Sequence, residues 1–168
     1  MTEIESILAK RIMVLDGAMG TMIQTRKLQE ADFRGDRFST HPLPQKGNND
    51  LLSLTQPDII KDIHRQYLEA GADIISTNTF NSNRISMADY GMESFVYEIN
   101  ETSVHLAKEA IQKYNNEHPQ KPLFVAGSIG PTNKTLSMSP RVEDAGYRDI
   151  NFDQLAEVYA EQVSGLMD

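Results

Sequence analysis

The feature that most constrains this chain is a short apolar run that occurs three times and each time ends in small or hydroxyl-bearing residues. Ile12-Met13-Val14-Leu15 runs into Asp16-Gly17-Ala18-Met19-Gly20-Thr21. Ala72-Asp73-Ile74-Ile75-Ser76-Thr77 runs into Asn78-Thr79-Phe80-Asn81, and Pro122-Leu123-Phe124-Val125-Ala126 into Gly127-Ser128-Ile129-Gly130-Pro131-Thr132. Such runs are too short for helices, are rich in β-branched residues and stop at turn formers, so they read as buried strands. Amphipathic helical stretches separate them. The order β-loop-α-β-α-β-α predicts parallel βαβ units, with all three strand ends on one face. In such folds ligands bind at the carboxyl ends of the strands.

The helical segments carry their own punctuation. Pro57 suits the first helical position and Gly71 the position past the end. Between them Ile59, Ile60, Ile63, Tyr67 and Leu68 form one stripe, in which His64 reads as a partly buried packing residue. A long helix is expected over 93–115, broken by 115–120, with His105 solvated. A last helix starts after Asn151 as N-cap. Residues 22–28 read as a helical turn or two, 84–91 as a short helix or turn, and 1–10 as a short helix packing on the domain. Two polar stretches remain. Residues 29–49 form a loop long enough to be a lid over the Asp16 end or a surface excursion, and 137–150 form another.

Composition narrows the chemistry. The net charge is −8 with no Lys/Arg cluster, which argues against nucleic acid. No run approaches the length of a membrane span and no basic, apolar leader opens the chain, so a cytoplasmic location is expected. There is no cysteine among the 168 residues, which removes disulfides, thiol nucleophiles and thiolate metal ligands within them. His41, His64, His105 and His118 show no ligand spacing, so no metal residue is assigned. Gly127, Gly130 and Lys134 do not fit a Walker phosphate loop.

Each strand end carries ligand-type groups. Asp16 is a carboxylate beside the exposed amides of Gly17, Ala18 and Met19, which suit an anion. Thr77, Asn78 and Thr79 donate and accept without charge. Three strands fall short of the eight in a (β/α)8 barrel of about 250 residues. The open edges of so small a parallel sheet call for more chain or for association.

The segments Val14–Thr21, Ala31–Gly35, Gly47–Leu52, Glu69–Ser82, Met87–Tyr90 and Val125–Asn133 resemble the homocysteine S-methyltransferase family, shared with the betaine–homocysteine methyltransferases. Ala31–Gly35 and Met87–Tyr90 favour its cobalamin-dependent methionine synthase branch. The resemblance implies an α/β fold, the first part (about three βα units) of a TIM (β/α)8 barrel. Residues 1–168 would be an incomplete N-terminal portion of the homocysteine-binding barrel, with no second domain in the chain. It implies homocysteine as substrate, zinc held by three cysteines to make the thiolate, and methylcobalamin and methyltetrahydrofolate on later domains. Site residues carried over are Asp16, Gly17, Ala18, Met19, Thr77, Asn78, Thr79, Gly130, Pro131 and Thr132. Asp16 would accept from the substrate ammonium or orient the loop, and the amides of 17–19 would hold its carboxylate. The family's cysteines are missing, so this chain alone is expected to be inactive and to bind neither zinc nor cobalamin tightly. Two alternatives stand beside this reading. One is a non-catalytic module that self-associates through open sheet edges, and the other is an unrelated barrel enzyme acting on a phosphorylated substrate.

Overall fold

The computed structural model describes residues 2–118 and 121–168. The helices are α1 (Glu3–Leu8), α2 (Met19–Gln24), α3 (Glu30–Arg34), α4 (Leu52–Thr55), α5 (Pro57–Glu69), α6 (Arg84–Met87), α7 (Val96–Glu117) and α8 (Phe152–Met167). Short 3-10 turns at Ala88–Tyr90 and Glu93–Phe95 link α6 to α7. Two strands, β1 (Ile74–Ser76) and β2 (Phe124–Ala126), pair in parallel with Ile75 opposite Val125. The molecule is an α/β structure with a small parallel sheet.

The expected first strand is corrected. Leu15 makes only an isolated parallel bridge to Ile74. Val14 O accepts from the amides of Asp73 and Ile74, and Asp16 N–H donates to Ile74 O at 2.9 Å. The next ladder donor, Ser76 N–H, goes to the Asp16 carboxylate at 2.7 Å instead of a main-chain carbonyl. The side chain thus ends the pairing after one bridge. Nor is the run buried, because Ile12, Val14 and Leu15 are 88%, 52% and 56% exposed at the sheet edge. The entry to this segment is fixed by Asp73, whose carboxylate takes a two-pronged bond from Arg11 at 2.7 and 2.9 Å and the amide of Val14 at 2.9 Å. Arg11 holds the Asp73 carboxyl well below the usual range.

The helix signals behave as the sequence suggests, with adjustments at the ends. Pro57 opens α5 and Gly71 follows it at φ +104°. Asn151 caps α8 in a reciprocal box with Gln154. α1 has a similar box between Thr2 and Glu5; none of its residues is fully buried, and Ile4, Ser6 and Ile7 are half-buried. α2 begins at Met19, earlier than expected, which draws Gly20 and Thr21 into its first turn. α7 runs through to Glu117, past Asn115 and Asn116 where the break over 115–120 is expected to begin, and the Pro119-Gln120 part of that break lies outside the described residues.

α7 is the spine of the interior. Leu106 joins Ile23, Phe33, Leu52, Ile60 and Ile63. Val96 and Ile99 join Phe38, Leu51, Met87 and Met92. Ala107 and Ala110 join Leu68, Ala72 and Ile75 beneath the sheet. α8 packs closely along the same helix, and a Cβ on Gly165 would come within 2.8 Å of Tyr97 O.

The 29–49 stretch is a packed segment and not a loose excursion. The Glu30 carboxylate accepts the amides of Gln45 and Lys46 at 2.8 and 2.7 Å. Arg34 binds the carbonyls of His41 and Leu43, and Phe38 sits in the core edge-on to Phe95. This bonding delivers Asn48, Asn49 and Asp50 to the strand ends.

Candidate functional site

The strand exits converge on a cleft of about 320 Å³ lined by Gly17, Met19, Gly20, Asn49, Asp50, Ser76, Thr77, Asn78, Thr79, Phe80, Asn81 and Ser128. One wall is the start of α2. Its first paired amide is that of Met22, bonded to Ala18 O at 3.3 Å, and among the described residues the amides of 17–21 have no intramolecular acceptor. Unpaired amides at a helix start attract an anion. A Cβ on Gly17 would meet the Tyr67 hydroxyl at 2.9 Å, so any side chain there would require the Tyr67 ring to shift.

Asp16 orients this wall. Oδ2 accepts from Ser76 N–H and Oδ1 from Ser76 Oγ–H at 2.9 Å, tying the first strand exit to β1. Burial raises its pKa, and the two Ser76 bonds oppose the shift. Of the two roles expected for Asp16, the geometry supports holding the loop. Asp16→Ala should strand the Ser76 amide and destabilise the fold by about 1–3 kcal/mol, which urea unfolding at neutral pH will measure, while Asp16→Asn should lose less.

Thr77, Asn78 and Thr79 form the floor, with their side-chain donors spent internally. Ser128 N–H donates to Thr77 Oγ1 at 2.9 Å, Thr77 and Thr79 hydroxyls share a 2.6 Å bond, and Thr79 Oγ1 donates to Ser128 O at 2.8 Å. This closed relay locks the β1 exit to the β2 exit. Asn78 Nδ2 donates to Asn49 O at 2.8 Å, fastening the 48–50 segment to the floor. The three residues therefore shape the cleft, and the Oδ1 of Asn78 is the acceptor left over.

The third exit divides. Gly130 is buried, its N–H on Phe80 O at 3.0 Å and its carbonyl accepting from Tyr159 at 3.1 Å. Pro131 and Thr132 line a neighbouring cleft of about 350 Å³ with Asn48, Asn49, Asp50, Asn81, Asp89 and Tyr90. Asn49, Asp50 and Asn81 belong to both clefts and form the partition between them. Thus Gly17, Met19, Thr77, Asn78 and Thr79 share one cleft, whereas Pro131 and Thr132 stand on the other side of that partition. A wider groove of about 510 Å³ between α5 and α7 shares no residue with either. Its ion pairs Lys61–Asp58 and Arg65–Asp62 mark it as a solvated helix face.

The lining residues outside the expected set are Gly20, Asn49, Asp50, Ser76, Phe80, Asn81 and Ser128. The available signal was the polar trio Asn48-Asn49-Asp50 set directly before Leu51-Leu52, both fully buried. Asp50 is 3% exposed, and burial pushes its pKa up to about 6. As to metal, the chain has no cysteine, and no three His, Asp or Glu side chains converge among the described residues. These residues do not make a zinc site.

Fold and cleft together define an α/β protein with a polar cleft at the ends of its parallel strands, one wall of which carries unpaired amides. Comparison with known proteins makes this specific. The chain belongs to the homocysteine S-methyltransferase family, whose model, "Homocysteine S-methyltransferase", matches residues 13–168. Its structure is similar to the homocysteine methyltransferase MmuM from Escherichia coli. The oxidized form aligns with a TM-score of 0.74 at 25% identity, covering 100% of this chain and 53% of that one. The metallated form gives 0.71 at 25% identity, with coverages of 99% and 54%. The apo form gives 0.65 at 26% identity, with coverages of 99% and 49%. The chain spans about half the length of the solved structures it matches.

Proposed function

We propose that this chain forms the homocysteine-binding end of a cobalamin-dependent methionine synthase, as the opening βα units of a TIM barrel. The observation that carries the binding role is the set of unpaired amides over 17–21, of which Gly17, Met19 and Gly20 line a cleft of amino-acid size. Those amides hold the substrate carboxylate, Asp16 keeps them in place through Ser76, and the Thr77–Thr79–Ser128 relay fixes the floor. Family membership supports methyl transfer to homocysteine. The segments Ala31–Gly35 and Met87–Tyr90 support the cobalamin-dependent branch, in which methyltetrahydrofolate recharges the cobalamin. Zinc, where the family holds it, turns the substrate thiol into a thiolate. No residue described here supplies that site, and no step in this chain runs through it.

The phosphorylated-substrate alternative is disfavoured by particular bonds. The amides of Ser128 and Gly130 are already taken, by Thr77 Oγ1 and Phe80 O, and Lys134 Nζ is 3.4 Å from Asp149. The self-association alternative has one surface in its favour, the exposed edge at Ile12–Leu15, where a further strand of the same barrel serves equally well.

The test is methionine formation by the full-length protein from L-homocysteine and methyltetrahydrofolate, with and without added cobalamin. Turnover that requires cobalamin is expected, and none from residues 1–168 alone. Equal turnover without cobalamin would contradict the branch assignment.

A further inference from the structure

The turn over 79–82 joins the β1 exit to the β2 exit. Phe80 O accepts Gly130 N–H at 3.0 Å, Thr79 Oγ1 donates to Ser128 O at 2.8 Å, and Ser82 N–H closes the turn on Thr79 O at 3.1 Å. Two side-chain amides hold this turn from behind, one from each long helix. Gln162 of α8 donates from Nε2 to Thr79 O at 2.8 Å, with Ser128 O at 3.5 Å from the same nitrogen. Asn100 of α7 donates from Nδ2 to Ser82 O at 2.8 Å and to Val96 O of its own helix at 2.7 Å. Both side chains are fully buried. The two helices close on each other at this level, because a Cβ on Gly165 would lie 2.9 Å from Asn100 Cβ.

Each amide uses its donor end alone. Gln162 Oε1 and Asn100 Oδ1 are buried with no partner among the described residues. Packing by itself would be served as well by Met or Leu, which bury no polar atom. What an amide adds at position 162 is a donor aimed at the main-chain carbonyls of two strand exits. Among the described residues none of α8 lines the cleft, whereas Thr79, Phe80 and Ser128 do. Gln162 therefore acts on the cleft only through the residues it holds. We infer that Gln162 is a positioning residue, which from the rear of the cleft fixes the β1 exit against the β2 exit and so sets the floor for the substrate. Its effect on turnover rests on the homocysteine reading; its effect on the turn does not.

The test compares the full-length protein with two variants that lack the donor, Gln162→Met, which keeps the side-chain length, and Gln162→Leu. Leu166→Ala is the comparison, because it loosens α8 against Gly127 and leaves the amide in place. The Gln162 variants should raise KM for homocysteine by about 10-fold and leave KM for methyltetrahydrofolate unchanged. Hydrogen exchange should quicken at the amides of Ser82 and Gly130 and keep the wild-type rate along α8. Leu166→Ala should quicken exchange along α8 and leave both KM values unmoved. If the Gln162 variants exchange at 82 and 130 as wild type does, or shift homocysteine KM no more than Leu166→Ala, Gln162 is only a core residue and the assignment falls. It falls also if neither Gln162 variant folds. Wild type that makes no methionine from homocysteine overturns the homocysteine reading, and exchange at 82 and 130 then decides alone whether Gln162 holds the turn.

Discussion

A His64→Leu variant should be more stable than the parent in acid, by about 3 kcal/mol below pH 4. His64 sits fully buried in α5 with no partner for either ring nitrogen, and burial pushes its pKa down to about 4 from 6.5. The sign follows from proton uptake. Between those two values the unfolded chain binds a proton that the folded chain refuses. Stability linked to His64 is complete above pH 6.5 and is lost as the pH falls through 4. Asp50 works in the opposite sense, because its pKa rises from 3.8 to about 6 on folding. Stability linked to Asp50 is complete below pH 3.8 and is lost as the pH rises through 6. From about pH 4 to 6 the two slopes oppose each other and nearly cancel. His64→Leu therefore exposes the Asp50 slope, with stability falling as pH rises, and Asp50→Asn exposes the His64 slope, with stability rising. Urea midpoints at half-unit steps from pH 3 to 7 check both. The other perturbed carboxylates are common to all three proteins and drop out of the differences. A His64→Leu curve parallel to wild type would mean that His64 titrates normally in the fold.

Gly130→Ala should destabilise the fold by about 2–3 kcal/mol and loosen the cleft. An added Cβ would lie 2.4 Å from Phe80 O and 2.8 Å from the Phe80 ring. A main-chain carbonyl held by its own bond to Gly130 N–H cannot step aside as a side chain can. Gly127 is the internal comparison, since its Cβ would meet only the Leu166 methyl at 3.1 Å. Gly127→Ala should have the smaller effect in the same unfolding assay. Equal losses would show that the Phe80–Gly130 contact is not the constraint.

These expectations reach into parts of the molecule that the sequence conveyed unevenly. Pro57, Gly71 and Asn151 announced their helix ends because capping chemistry is local. The second and third apolar runs formed the expected parallel pair. The first run misled, because its hydrophobic content resembles that of a buried strand, while the Asp16 side chain replaces the ladder and leaves Ile12 and Val14 at an edge. Thr77 and Thr79 were legible as strand-end residues, but their closed relay with Ser128 depends on a partner far along the chain. Asp50 was hidden for a related reason. One acid in a polar stretch gives no sign of being the buried one until Glu30 and Arg34 fold residues 29–49 inward. Pro131 and Thr132 follow Gly130 directly in sequence, and only the packing shows the Asn49–Asp50–Asn81 wall that sets them apart from the first cleft.

The central claim is that the start of α2 and the wall facing it hold an amino acid. The most direct measurement is the backbone amide shift map of the isotope-labelled protein during titration with L-homocysteine. The largest shifts are expected at Gly17 to Thr21, with a second group at Asn49 and Asp50. Saturable binding that leaves 17–21 unmoved and perturbs 127–134 instead would contradict it.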